Sequence, residues 1–182
     1  MSINQAYYEL VIRRLESFRR LLANDIITPV RISMNYLDLA KREFILTITG
    51  VKSPIITPTG YSYGDTFRIK ITVPDGFPEA IPVIKFERVI PFHPHVFRSG
   101  DICWGTYNVG QVSNPSLIVW VVNLLYYLEY NQHPAYQMNV LSPANVMARD
   151  AYQQQRDIIV RGISPTHMER VVRCATDAEN VR

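Results

Sequence analysis

The sequence predicts an α+β fold, with helices and strands grouped along the chain. Residues 5–23 carry apolar side chains at helical spacing. Between 44 and 87 apolar and polar residues alternate, and helical spacing returns beyond Leu117. Strands kept together and helices kept together are the mark of that class. The 182 residues suffice for one domain with a single core. We set its expected limits at 1–163 and treat 164–182 as a C-terminal extension.

In the first element Val11, Leu15, Phe18 and Leu22 fall at i, i+4, i+7 and i+11, one face of a helix. Glu9, Arg13, Glu16 and Arg20 take the other side, either as a solvated face or as a docking face for an acidic partner. Phe44, Leu46 and Ile48 then alternate with Ile45, Thr47 and Thr49. The next strand is cleaner: Phe67, Ile69, Ile71 and Val73 point one way, and Thr66, Arg68, Lys70 and Thr72 the other. Period 2 with one polar face indicates an antiparallel sheet wet on one side. Tyr63-Gly64-Asp65 and Pro74-Asp75-Gly76 read as turns. A third strand, Val83 to Glu87, follows Pro78 and Pro82, which constrain its approach. Pro115 and Ser116 open a helix with Leu117, Val121, Leu124, Leu125 and Leu128 on its apolar spacing. Another helix is expected from Ser142-Pro143 to about Arg161, with Val146, Met147 and Tyr152 inward. Residues 164–182 are more polar and read as a last short helix or a loose tail.

Composition narrows the function. With 47% apolar and 19% charged residues the chain is globular rather than disordered. A net charge of +3, without a run of five like charges, provides no basic stripe, so no nucleic-acid partner is expected. The apolar run Leu117 to Leu128 is interrupted by Asn123 and is too short to span a bilayer, so no membrane partner is expected either. The N-terminus lacks the order of a signal peptide. Two cysteines, Cys103 and Cys174, do not make a disulfide framework. A reducing, cytoplasmic setting is expected, with Cys174 a stray thiol in the tail.

The segment from about 88 to 115 is too long for a plain connection, and such loops are usually functional. It contains Pro91-Phe92-His93-Pro94-His95 and, eight residues after His95, Cys103. Three readings of the cysteine stand side by side. It could be a small core hydrophobe between Ile102 and Trp104. It could join His93 and His95 as a metal ligand, although zinc needs three or four ligands and no CxxC or HxxxH supplies the others. It could be a nucleophile, which needs an exposed sulfur, an oxyanion donor and a proton acceptor. Gly100, Asp101 and Gly105 around it favour a thiol presented at a groove.

His93-Pro94-His95, seven further residues and then Cys103 resemble the ubiquitin-conjugating enzymes, whose His-Pro-Asn precedes the active-site cysteine at this spacing. Residues 77–86, FPEAIPVIKF, are similar to the family's Tyr-Pro-x-x-Pro-Pro strand entry. Gly100-Asp101-Ile102-Cys103 resembles its Gly-x-Ile-Cys. Asn114-Pro115-Ser116 matches its Ser-Pro-Ala, with about two extra loop residues, and Leu141-Ser142-Pro143 its Pro-Leu-x-Pro. Five motifs in order cover roughly residues 5–160. The resemblance implies the UBC-like fold: an N-terminal helix, a four-stranded antiparallel meander, the cysteine loop and C-terminal helices.

It also implies the chemistry. Cys103 would accept the C-terminus of a ubiquitin-like protein from an activating enzyme as a thioester, then yield it to an amine, commonly a lysine of a target protein. No cofactor and no metal are implied. His95 stands where the family has Asn, and an imidazole can also donate a hydrogen bond; its implied role is oxyanion or loop support. Asn139 aligns with the family's acidic gate. Tyr107, Ser142 and Trp104 would line the substrate side, His93 would be structural, and Arg13, Arg14 and Arg20 would dock the activating enzyme. The family's Trp is absent at Val112 or Ser113, Trp104 replaces Leu, and Gly105 replaces an acid. These departures resemble bacterial members encoded beside a ubiquitin-like protein and its activating enzyme, with a role in antiviral defence. Two rivals remain: a non-catalytic carrier-binding module of the same fold, and a cysteine hydrolase using His93 or His95 as base.

Overall fold

The computed structural model describes residues 3–38, 40–76, 80, 82–103, 114–127 and 143–181. Among these, helix α1 (Ile3–Asn24) precedes strands β1 (Arg31–Asp38), β2 (Glu43–Thr57), β3 (Gly60–Thr72) and β4 (Val83–Glu87). The strands pair antiparallel in chain order, a simple meander. Helices α2 (Asn114–Leu125), α3 (Val146–Ile159) and α4 (Met168–Glu179) follow, the last entered through a 3-10 turn at Pro165–His167. The architecture is the predicted α+β arrangement of an N-terminal helix, a four-stranded antiparallel meander and C-terminal helices.

One core is shared by α1, α2, α4 and one face of the sheet. Val11, Leu15, Phe18 and Leu22 are buried, and so are Phe44, Leu46, Ile48, Phe67, Ile69, Ile71, Ile84 and Phe86 opposite them. Alternation decides which strand residues these are, because a period of 2 puts every second side chain on the same face. Helix α2 is apolar nearly all round. It is buried on most sides, by the sheet and α1 on one flank and α4 on another.

Several local expectations change. Tyr63-Gly64-Asp65 is not a turn but lies within β3, where Gly64 pairs with Ser53. A Cβ on Gly64 would stand 3.1 Å from Ile55 Cγ2, so the glycine serves close packing. The chain reverses instead at Pro58-Thr59, between the paired Thr57 and Gly60. Strand β1 escapes the residue pattern because an irregularity between Met34 and Tyr36 breaks its alternation. Helix α2 stops at Leu125; Tyr126 and Tyr127 turn away from it, Tyr127 at φ 55°, and Leu128 lies outside the described residues, as does Pro78.

In α3, Val146 and Met147 are exposed rather than inward, and the buried face is Ala148, Tyr152 and Ile159. The helix begins only at Val146, capped by Asn145 Oδ1, which accepts the Ala148 N–H at 3.0 Å. That start rotates the first turn toward solvent. Cys174 is a core thiol, not a stray one: it is buried with Met168, Val171, Ala175 and Ala178 where α4 packs on α1 and α2. Burial pushes its pKa up. Arg170 of α4 also reaches the α1–β1 connection, pairing with Asp25 at 2.7 Å. Asp25 further accepts the Thr28 and Ile27 N–H groups at 2.9 and 2.8 Å. These bonds, Thr28's foremost and the Arg170 pair after it, hold its carboxyl at a pKa of about 2.

Candidate active site

The loop after β4 is stitched to the sheet before it reaches Cys103. Ile56 N–H donates to Ile90 O and Phe92 N–H to Pro54 O, both at 2.8 Å, which fixes the loop along the end of β2. The Phe92 ring stacks on Tyr61 at 5.2 Å. From Pro91 to Val96 every residue is buried.

His93 is 1% exposed, and its Nδ1 accepts the backbone N–H of His95 at 3.1 Å. Nδ1 therefore carries no proton, and the neutral ring holds its hydrogen on Nε2. Its ring packs edge-on to Tyr127 at 4.8 Å and lies 5.6 Å from the His95 ring. Tyr127 hydroxyl donates to the carbonyl of Phe92. Burial raises the Tyr127 pKa well above its usual value, which keeps that donor protonated. The start of α3 is tied in as well, with Asn145 N–H donating to Pro94 O at 3.2 Å.

The chain then folds back on itself. Phe97 N–H donates to Asp101 O and Gly100 N–H to Phe97 O, both at 2.9 Å, and Val96 bridges Ile102. Gly100 is required here. It sits at φ 93°, its carbonyl accepts Phe86 N–H at 2.8 Å, and a Cβ would lie 2.2 Å from Phe86 O. The reversal ends with Cys103 N–H donating to His95 O at 2.8 Å. The thiol is thereby held across from His95, half-exposed at the surface end of a buried loop. The amide of Cys103 is already engaged, so that N–H is not free to donate to an oxyanion at this sulfur.

These contacts bear on the three readings of the cysteine. Cys103 is half-exposed and does not belong to the core. His93 has spent Nδ1 on the loop, and its Nε2 is buried, so it is not offered to a metal or as a hydrolase's base. Among the described residues no three His, Cys, Asp or Glu side chains gather as a metal site would require.

Of the sequence candidates, the structure brings together Cys103, His95 and His93. Trp104, Tyr107, Asn139 and Ser142 lie outside the described residues. On α1, Arg13 and Arg20 are exposed, whereas Arg14 is half-buried and donates from Nε to Val181 O at 3.4 Å. Arg19 is tied to Glu16 at 2.8 Å. Two supports were not anticipated. Asn145 carried a readable signal, an Asn just before a helix and two residues after a proline. Tyr127 carried none, since its contact with Phe92 spans 35 residues.

The buried imidazole has a measurable consequence. Desolvation, helped by the neighbouring His95, keeps His93 neutral well below its ordinary pKa of 6.5. The unfolded chain takes up that proton as the pH falls through 6.5 and the folded chain does not. The contribution to stability is therefore complete above this pH and is lost below it, by up to ~1.4 kcal/mol per pH unit. His93→Asn, whose amide oxygen stands near the place of Nδ1, is expected to flatten the stability profile on the acid side of that value. Urea denaturation at a series of pH values measures it; an equal slope in both proteins would rule out this role.

Residues 32–157 match the family described as Ubiquitin-conjugating enzyme. Ubiquitin-conjugating enzyme E2 2 of Candida albicans is 31% identical over 121 residues, 62% of this chain and 59% of that protein. SUMO-conjugating enzyme UBC9 of Caenorhabditis elegans is 32% identical over 98 residues, 51% of this chain and 52% of that one. The chain thus spans little more than half the length of these curated relatives. A ubiquitin conjugating enzyme from Trypanosoma cruzi superposes with a TM-score of 0.56 over 84% of this chain and 94% of its own, at 18% identity. One from Plasmodium yoelii gives 0.50 over 84% and 89%, at 20% identity. At those identities the likeness is one of fold. The family match covers well over half of the chain and includes the loop that ends at Cys103, so the protein belongs to the ubiquitin-conjugating enzyme family.

Proposed function

We propose that this chain carries a ubiquitin-like protein as a thioester on Cys103 and passes it to an amine. The observation that supports this most directly is the half-exposed Cys103 thiol at the end of a buried, hydrogen-bonded loop in a member of this family. In the first step Cys103 Sγ, as thiolate, attacks the thioester carbonyl joining the carrier's C-terminus to an activating enzyme. A new C–S bond forms, the old one breaks, and the activating enzyme leaves as thiolate. In the second step a target lysine's neutral amine attacks the same carbonyl, loses a proton, and expels the Cys103 thiolate to leave an amide. The exchange of one thioester for another is nearly isoenergetic. The aminolysis is harder, because a lysine ammonium must first be deprotonated, and desolvation near the sulfur lowers its pKa.

In this reading His95 supports the oxyanion or the loop, Asn139 takes the gate position, Tyr107, Ser142 and Trp104 line the amine's approach, and His93 holds the loop. His95→Ala is expected to slow aminolysis about 100-fold while leaving thioester formation within a few-fold. Single-turnover discharge to free lysine, set against the charging rate, separates the two. Equal slowing of both steps would remove His95 from the role.

Arg13 and Arg20 are proposed to meet an acidic surface of the activating enzyme. Reversing both to Glu is expected to slow charging several-fold at low salt and to make the remaining rate less salt-dependent. An unchanged salt profile would place the docking surface elsewhere.

The two curated relatives are named for different carriers, ubiquitin and SUMO, so the carrier here is stated only as ubiquitin-like. The relatives named are eukaryotic and lend no support to a bacterial placement or a defence role. No helix among the described residues is long and apolar enough to cross a membrane. The test is direct: incubate the chain with activating enzyme, carrier and ATP, and run a non-reducing gel. A band heavier by the carrier's mass and removed by thiol reductant is the expected result. No band would favour a non-catalytic binding module, and consumption of conjugates would favour a hydrolase.

A further inference from the structure

Just past the end of α2, Tyr127 has a backbone that its neighbours do not share. Val121, Val122, Leu124 and Leu125 reach the core from within the helix. Tyr127 leaves it: its N–H turns back to Leu124 O at 2.9 Å, and its φ is 55°. A bulky side chain is disfavoured in that left-handed region, and such a conformation persists only where the surroundings impose it. Three contacts impose it here. The ring packs edge-on to His93 at 4.8 Å and lies 5.9 Å from the Tyr152 ring of α3, and the hydroxyl donates to the carbonyl of Phe92. Tyr127 is buried, which keeps that hydroxyl protonated.

The Phe92 carbonyl is the first link in a series that ends at the sulfur-bearing residue. His93, next in the chain, accepts His95 N–H on Nδ1, and His95 O accepts Cys103 N–H. A displacement of Phe92 therefore carries the His93 ring with it, and through His95 it reaches the backbone of Cys103. We propose that Tyr127 is a positioning residue for acyl transfer, its hydroxyl fixing Phe92 and His93 so that His95 is set against the Cys103 thioester. That role presupposes the thioester on Cys103 and the part proposed for His95.

Tyr127→Phe keeps the ring and removes the hydroxyl, so the buried Phe92 carbonyl loses this donor. In the isotope-labelled full-length chain the amide resonances of His95 and Cys103 are expected to move, while those of Phe44, Leu46 and Ile48 in β2 stay in place. Discharge to free lysine is expected to slow ~10-fold at an unchanged half-saturating lysine concentration. In a His95→Ala background the same change should add less than ~2-fold, because two residues acting through one position are not additive. Should Tyr127→Phe not fold, 3-fluorotyrosine at 127 makes the hydroxyl a stronger donor and must move the same two resonances. Resonances of His95 and Cys103 that stay in place in either folded variant overturn the inference, whether or not the chain charges. So does discharge at the parent's rate, or a ~10-fold slowing that recurs in full without His95, which would leave Tyr127 a structural tyrosine. A parent chain that forms no thioester would instead end the role of Cys103 as carrier, and the two resonances alone would then decide whether Tyr127 sets the loop.

Discussion

Replacing Cys103 with alanine is expected to abolish carrier charging, by at least about 1,000-fold, while leaving the melting temperature nearly unchanged. The sulfur is half-exposed and outside the core, so its loss opens no cavity. The backbone bond from Cys103 N–H to His95 O does not depend on the side chain and survives the change. Cys103→Ser is the more informative variant. A hydroxyl in the same place is a far weaker nucleophile than a thiolate, so charging slows, but any adduct is an oxyester. It should persist in thiol reductant and be released by hydroxide. The non-reducing gel described above measures both.

The second cysteine provides the control. Cys174 is buried between α4 and its neighbours, and desolvation keeps it protonated. It is therefore not a competing thiolate. Cys174→Ala is expected to lose some stability and no charging in the fraction that remains folded. A reductant-sensitive adduct on Cys103→Ala that disappears in the double variant would transfer the chemistry to Cys174 and end the assignment.

What was legible in the sequence depended on how local the cause was. Phe67, Ile69 and Ile71 betrayed a strand because the wet face of the sheet forces every second residue to be polar. Val11, Leu15, Phe18 and Leu22 betrayed α1 for the corresponding reason at helical period. The order of His93, His95 and Cys103 was legible because a single short loop contains all three. The props of that loop were not. Tyr127 reaches Phe92 from the end of α2 and Asn145 reaches Pro94 from the start of α3, and no sequence spacing encodes such contacts. Gly64 was misread because a glycine that lets side chains approach looks, in sequence, like one that turns the chain. Helix α4 was obscured by composition: Met168, Val171, Cys174, Ala175 and Ala178 share one face, but that face is made mostly of small residues. Glu169, Arg170, Arg173 and Asp177 give the segment the look of a polar tail.

Deleting residues 164–182 is accordingly expected to unfold the protein. The segment reads like an appendage, but α4 closes the core over α1 and α2. Burial of Met168 and Val171 contributes ~1.5–3 kcal/mol each. With Cys174, Ala175, Ala178 and the surfaces they cover on both neighbours, the loss reaches on the order of 5 kcal/mol or more. A domain of this size has about 5–15 kcal/mol in total. The deletion also takes Arg170 away from Asp25, leaving a buried carboxylate without its counter-ion. Near-ultraviolet circular dichroism and a thermal melt measure the outcome: the shortened chain should lack a cooperative transition at room temperature and above. Charging should fail with it, because the loop of Cys103 is braced by Tyr127 at the end of α2, which would then have lost its cover on one side. A truncated chain that melts within a few degrees of the full one would show that α4 rests on the domain without holding it together.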